Sequence, residues 1–409
     1  MSKEKRLVPE LRFPGFSGNW NRSIAKDVLQ ISRGGSPRPI LEYLTKKDDG
    51  VNWIKIGDTS PTENIIRKTE QKIIKEGIKF SREVFKGDII LSNSMSFGRP
   101  YILDIDGCIH DGWLSIKDIN RNFVPMFLVE LLGSDKVFNQ YKRLAAGGVV
   151  NNLNKELVQS VKIVHPYLIE QQKIATFLSL IDKKIELLGK KVELLEEHKR
   201  GLLQKVFSQE IRFKKDDGSE FEEWRYFCLN EVGEFKSGGN LSKSSVSEKG
   251  IRCILYGELY TRYDEVIYSI EQATEDSNLV LAYKNDLLFP TSTTADARSL
   301  ISPSALQVDE VAIGGDILIF RPKNNISSIY LSYYINSKKS QFAKFAQGIT
   351  IVHIGRDGLN NVLIPIPDLY EQKKIMLLLS KQDYLINHLK IKVDRMNELK
   401  KGLLQKMFI

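Results

Sequence analysis

Glu170-Gln171-Gln172-Lys173-Ile174 recurs as Glu371-Gln372-Lys373-Lys374-Ile375, and Gly201-Leu202-Leu203-Gln204-Lys205 recurs as Gly402-Leu403-Leu404-Gln405-Lys406. Both pairs are offset by 201 residues, so two long segments stay in register from end to end. In the first, Ile174, Leu178, Ile181, Ile185, Leu188, Val192, Leu195, Leu202 and Val206 follow one another in steps of four and three, with Lys199 in the one polar seat. The second gives Ile375, Leu379, Gln382, Ile386, Leu389, Val393, Met396, Lys400, Leu403 and Met407. A heptad seam sustained this long reads as coiled coil. At 1.5 Å per residue, each helix is a rod of about 57 Å. The seams pack most simply on each other. A chain that leaves one module and returns along the second helix makes the pair antiparallel. With ends aligned, Lys199 falls opposite Gln382 and Lys400 opposite Ile181, polar seats suited to fixing register. The alternative is that both lysines reach outward into water. Gly201 and Gly402 each cost about 1 kcal/mol relative to alanine. Their pairing predicts close approach of another backbone, or a bend. Phe177 with Leu378, and Leu203 with Leu404, are apolar off the seam in both copies. They suit either a partner protein or the adjacent module.

The repeat runs beyond the helices. Glu10-Leu11-Arg12-Phe13 matches Glu210-Ile211-Arg212-Phe213, Trp20 matches Trp224, and Gly34-Gly35 matches Gly238-Gly239. The repeating units are 10–209 and 210–409. Duplication at this length predicts two similar modules and a pseudo-two-fold molecule. Between the shared landmarks the sequences diverge, which points to one scaffold with two different binding surfaces.

The globular segments read as mixed α and β. Runs at 88–91, 114–116, 161–164, 317–320 and 362–366 look like strands. Stretches 126–132 and 328–335 look helical, with amphipathic continuations at 137–144 and 341–345. Strands and helices do not strictly alternate, so the class is α+β. Polar loops lie at matching places. Arg33, Ser36 and Arg38 correspond to Lys236, Ser237 and Lys243. Ser92, Asn93, Ser94 and Arg99 correspond to Thr291, Ser292, Thr293 and Arg298. Hydroxyl, amide and guanidinium groups suit phosphates and base edges, although such loops are commonly just solvated turns.

The chain of 409 residues is 42% hydrophobic, with a net charge of +9. Positive charge suits nucleic acid. However, segment 170–207 has eight basic and six acidic residues, and 371–408 has nine and four, so most of the excess sits on the helices. No apolar run approaches the roughly 18 to 20 residues of a membrane span, and the start lacks the apolar core of a signal peptide. Three scattered cysteines, Cys108, Cys228 and Cys253, suggest a reducing cytoplasm and neither a disulfide frame nor a metal site.

No phosphate-binding Gly-x-x-x-x-Gly-Lys-[Ser/Thr] loop and no Asn-Pro-Pro-[Tyr/Phe] motif occurs. Pro367-Asp368-Leu369-Tyr370-Glu371-Gln372-Lys373 mimics a nuclease signature, but its first copy, Pro166-Tyr167-Leu168-Ile169-Glu170, has no aspartate. Asp368 with Glu371 reads better as a capping box. No catalytic constellation emerges.

Two variable regions alternating with two near-identical helices, each opened by Pro-x-x-x-Glu-Gln-x-Lys-Ile at 166–174 and 367–375, resemble the specificity subunit of type I restriction-modification enzymes. The resemblance spans essentially the whole chain. It implies target recognition domains at 1–165 and 210–366 and spacer helices at 166–209 and 367–409. Each domain would read one half of an asymmetric site in double-stranded DNA. The helices would set the spacing and dock two methyltransferase subunits, with restriction-translocase subunits completing the complex. The resemblance implies no catalysis by this chain. S-adenosylmethionine, ATP and Mg2+ would bind other subunits. The competing reading is a coiled-coil adaptor without DNA specificity.

Overall fold

Ile89–Ser92 is buried along its whole length, which is why its sequence is an unbroken apolar run and not an alternating one. In the computed structural model, which describes residues 6–60, 63–94, 97–145 and 153–409, this strand is central in a five-stranded sheet. The order is Leu29–Arg33, Trp113–Asp118, Ile89–Ser92, Pro100–Leu103, Ile65–Ile66. Successive side chains leave opposite faces of a strand. Ile90, Tyr101 and Trp113 therefore pack with Ile54, Val84 and Ile109 of a second sheet. Ile89, Leu91, Leu114 and Ile116 pack instead with helix residues including Phe127, Leu131, Tyr141, Ile174 and Leu178. The second sheet is ordered Leu44–Thr45, Gln71–Ile73, Val51–Ile54, Gly107–Ile109, Arg82–Val84. The layers are sheet, sheet and helix.

The chain divides into two compact units. One comprises the residues up to Gly189 with Ile391–Ile409, and the other is Lys190–Lys390. The second unit repeats the topology. One sheet runs Gly233–Ser237, Ile317–Pro322, Leu287–Pro290, Ser304–Leu306, Val266–Ile267. Its companion runs Val246–Ser247, Ala273–Thr274, Ile251–Ile254, Val311–Ile313, Leu281–Ala282. The expected continuation helix at 341–345 is instead Lys339–Ala343.

The long helices are Leu168–Phe207 and Leu369–Met407, and each unit takes a part of both. Seam residues Ile174, Leu178, Val192, Ile375, Leu379 and Ile386 are buried. Ile185, Leu188, Leu195, Leu389, Val393 and Met396 are half-buried. Each fully buried aliphatic side chain contributes about 2 kcal/mol. In the second unit Lys199 meets Asp383 at 2.5 Å, and Glu196, one turn earlier, meets Lys390 at 2.7 Å. Earlier residues on one helix meet later ones on the other, so the segments run antiparallel.

The expected partners of the two seam lysines were off by one residue. Lys400 pairs with Asp182 at 2.7 Å, not Ile181, and also with Glu130 at 2.9 Å. Lys199 pairs with Asp383, not Gln382, and also with Glu265 at 3.1 Å. Nor do they reach into water, since their side chains are only 15% and 13% exposed. A buried ammonium requires carboxylates, and the next residue round each facing helix supplies one. Each lysine thereby ties two helices to a globular module.

The Glu-Gln pair that opens each helix is a second repeated tie. Glu170 accepts from Arg12 Nε and Nη2 at 2.8 Å each, and from Trp20 Nε1 at 3.3 Å. Glu371 accepts from Arg212 Nε and Nη2 at 3.0 Å each, and from Trp224 Nε1 at 2.9 Å. Gln171 bonds the carbonyls of Asn122 and Pro166 and the amide of Val124. Gln372 does the same with Asn325, Pro367 and Ser327. The capping-box expectation is therefore half corrected. Asp368 accepts from the Tyr370 amide at 2.8 Å, but Glu371 turns inward to Arg212 because a guanidinium that donates two charge-assisted bonds is the stronger partner.

The two helix glycines need a different account from the one expected. Each helix runs through its glycine unbroken, and a Cβ at Gly201 or Gly402 would meet nothing within 4 Å, so no other backbone approaches closely there. Gly201→Ala and Gly402→Ala should each stabilise the chain by about 1 kcal/mol, read as a higher thermal midpoint. A lower midpoint would show that these positions need glycine after all. Phe177 and Leu404 pack on the first core, and Leu203 and Leu378 on the second, so all four serve the adjacent module.

Candidate nucleic-acid interface

In each unit a glycine pair leads the chain from one sheet onto the edge of the other. Gly34 donates to Trp113 O at 2.9 Å and Gly35 to Ile109 O at 3.2 Å. A Cβ on Gly34 would lie 2.0 Å from His110 O, so only glycine fits this close approach. Gly238 and Gly239 repeat the crossing, donating to Ile317 O and Ile313 O at 2.9 and 2.8 Å. A Cβ on Gly238 would lie 2.1 Å from Gly314 O.

In the first unit this crossing gathers four of the expected residues around Asp111, which the sequence did not single out. Ser36 Oγ donates to Asp111 Oδ1 at 2.8 Å, Arg33 Nε to its carbonyl at 3.2 Å, and Asn93 Nδ2 to the same carbonyl at 2.9 Å. The Arg38 guanidinium lies 3.6 Å from the carboxylate with its side chain 83% exposed. Burial works to raise the Asp111 pKa, but the Ser36 hydroxyl, a backbone amide, His110 and Arg33 outweigh it and hold it below the ordinary value. The neighbouring His110 sits with its ring 6.2 Å from both Trp53 and Trp113. Burial lowers its pKa against the pull of Asp111. Its Nδ1 accepts from the Gly112 amide at 2.8 Å.

The rest of the 92–99 loop serves other ends. Ser92 is fully buried and its hydroxyl accepts from the Arg99 amide at 3.0 Å. Asn93 is also buried, so these two shape the loop from within. Ser94 is half-buried, and Met95 and Ser96 lie outside the described residues. Arg99 is not at the Asp111 cluster. Its guanidinium donates to Glu63 O at 3.2 Å and lines a cleft of about 490 Å³ with Asn64, Glu130, Lys400 and Lys401.

In the second unit Lys236 and Ser237 end the strand Gly233–Ser237, opposite Ile319 and Leu318. Both are exposed, as is Lys243 in the turn Lys243–Ser245. The Thr291 amide donates to Asp316 O at 2.8 Å. Ser292, which is buried, and Thr293 pair with His353 and Val352 in a small sheet. The Arg298 amide is held by the Asp296 carboxylate at 2.8 Å, leaving the guanidinium exposed. No second Asp111 exists here. By backbone pairing, Ile109 corresponds to Ile313, so His110-Asp111 is replaced by Gly314-Gly315. Sequence reading also missed a cleft of about 550 Å³ lined by Tyr260, Tyr263, Asn336 and Lys339. Burial lowers the pKa of Lys339, and its ammonium donates to Ser302 Oγ at 3.0 Å.

Residues 18–197 and 221–400 each match the family model described as the type I restriction modification DNA specificity domain. The chain belongs to this family. Each specificity domain thus takes in a globular module and most of the long helix after it. The adaptor alternative finds no support in these matches. The chain is 24% identical over 336 residues to the type I restriction enzyme MjaVIII specificity subunit of Methanocaldococcus jannaschii, covering 78% of each. Its fold is similar to the crystal structure of the type I restriction-modification system S subunit from M. genitalium. There the TM-score is 0.60 at 15% identity, covering 98% of this chain and 99% of that one. A chain from a structure of type I R-M complex assembly and conformational transition gives 0.58 at 18% identity, covering 95% and 97%. Among the described residues of this specificity-family member, no helix is long and apolar enough to cross a membrane.

Proposed function

We propose that this chain is the DNA-reading, non-catalytic subunit of a type I restriction-modification complex, and that its two domains read the unlike halves of an asymmetric two-part site. One observation carries the reading. The same loop crossing is built twice, yet one copy presents the His110-Asp111 cluster with Arg33, Ser36 and Arg38, and the other presents Gly314-Gly315 with Lys236 and Lys243. Equal scaffolds with unequal donors and acceptors suit unequal base sequences.

The helices supply the surface for partners. Leu180, Leu187 and Leu194 recur at heptad spacing outside the seam of the first helix, as do Leu377, Tyr384 and Ile391 on the second. All six are more than half exposed. Contiguous exposed apolar stripes mark interaction sites, and in this reading they dock two methyltransferase subunits. Restriction-translocase subunits join the same complex. S-adenosylmethionine, ATP and Mg2+ belong to those other subunits. The setting is the cytoplasm, which suits three unpaired cysteines.

The test is methylome sequencing of cells that express the chain with its methyltransferase partner. The expected motif is asymmetric and in two parts. Replacing 210–366 by the corresponding domain of another family member should change one half and leave the other untouched. A continuous palindrome, a motif indifferent to this chain, or methyl transfer by the purified chain alone would overturn the proposal.

A further inference from the structure

The sequence from Ile317 to Arg356 contains no aspartate or glutamate, but it contains Arg321, Lys323, Lys338, Lys339, Lys344 and Arg356. A run this one-sided creates a local positive potential whatever the net charge of the module. Its counterpart from Lys136 to Lys155 in the first half is likewise free of acids. Within the run a short hairpin stands out from the second unit. Gln347 and His353 close it by exchanging amide–carbonyl bonds of 2.8 and 2.7 Å. Gly348 turns the chain with φ +120, and a Cβ there would lie 2.0 Å from Ile351 O.

The base of the hairpin is anchored and its tip is not. Val352 and Ile354 are buried in the core beside the long helices. Val352 and His353 pair with Thr293 and Ser292, and the Ile354 amide donates to Thr291 O at 3.0 Å. The hairpin is therefore continuous with the loop that carries Thr291, Thr293 and Arg298. Ile349, at the tip, is 101% exposed. Lys344, His353 and Arg356 flank it, all exposed. Among the described residues, neither Lys344 nor Arg356 is paired with a carboxylate.

We infer that this hairpin enters a groove of the target duplex, with Ile349 as a specificity-determining contact to base edges and Lys344 and Arg356 on the flanking phosphates. The inference rests on the proposed DNA-reading role. The major groove admits a two-stranded β-ribbon, and an apolar side chain there discriminates the thymine methyl from a polar edge. The basic flanks neutralise phosphates and carry no sequence information. Ile349 at the tip, with Ile351 beside it 48% exposed, sits on an anchored hairpin with basic flanks, which fits this division of labour.

The experiment uses the full chain assembled with its methyltransferase subunits. Binding is measured to a duplex carrying the methylated motif and to a scrambled duplex, over a range of salt. Ile349→Ala should weaken binding to the motif at least tenfold and leave the scrambled duplex and the salt slope unchanged. Lys344→Gln and Arg356→Gln should weaken both duplexes and flatten the slope by about one each. Wild-type selectivity that survives intact in Ile349→Ala overturns the inference alone. So does an Ile349→Ala chain that no longer retains its methyltransferase subunits, which would make the tip a protein contact. Absence of selectivity in the wild-type complex overturns the DNA-reading role itself. An unchanged thermal midpoint of the purified Ile349→Ala chain serves as the folding control.

Discussion

Glu371→Ala is expected to lower the stability of the second unit by about 2 kcal/mol, because it removes the charge-assisted hydrogen bonds that a buried carboxylate makes to the half-buried Arg212 guanidinium. The carboxylate is wholly buried and holds Arg212 through two hydrogen bonds and Trp224 through a third. Without it the Arg212 guanidinium keeps the carbonyls of Phe221 and Glu222 and the face of Trp224, and the indole N–H loses its acceptor. Glu371→Gln keeps an acceptor but not the charge, so it should fall between wild type and alanine. Amide hydrogen exchange resolves the effect. Protection at the start of helix Leu369–Met407 should drop most, since Glu371 ties that turn to the segment around Arg212. Glu170→Ala should reproduce the pattern around Arg12 and Trp20. Unchanged protection in both variants would mean that the tie contributes nothing beyond geometry.

Lys400→Met should destabilise the first unit by about 3 kcal/mol at pH 7 and by clearly less at pH 5. The lysine serves two carboxylates, Glu130 at 2.9 Å and Asp182 at 2.7 Å. Burial works against the ammonium, but the two acids outweigh it and raise its pKa above 10.5. Glu130 is only 5% exposed. Its pKa is raised from 4.5, because burial outweighs the pull of Lys400, and Asp182 adds to the rise. A carboxyl with a raised folded pKa binds its proton more readily folded than unfolded. The stability it contributes is full below about 4.5 and is lost as pH rises through the folded value. Removing Lys400 exposes that loss, so the variant should melt progressively earlier between pH 5 and pH 7. Lys400→Met combined with Glu130→Met should recover much of the deficit, since an apolar pair can replace a buried ion pair at little cost. Equal melting of the single variant at both pH values would show that Glu130 stays ionised without its lysine.

Legibility from sequence followed the range of the interaction. The long helices and their seam were readable because heptad spacing is a local property of the chain, and their antiparallel pairing because a chain that leaves one module must return along the second helix. The strands Ile89–Ser92 and Ile317–Pro322 were readable because burial on both faces demands an apolar run. The roles of Glu170 and Glu371 were visible only as a repeat. Their partners Arg12 and Arg212 lie more than 150 residues away, and nothing in the spacing links them. At the candidate site, sequence located loops of suitable chemistry. It could not separate Ser36, which reaches Asp111 near the surface, from Ser92, which is fully buried.

The chain by itself determined duplication, rod-forming helices and membership of a two-domain recognition family, since these rest on periodicity and recurrence. Tertiary structure decided which groups meet. It placed Asp111 among Arg33, Ser36, Arg38 and Asn93, gave Lys199 and Lys400 two carboxylates each, and left Ile349 at the tip of a hairpin with no contact of its own. The physical reason is that charge pairing and burial depend on distance in space. Loops that share no sequence pattern come within hydrogen-bond reach only after the two sheets have packed.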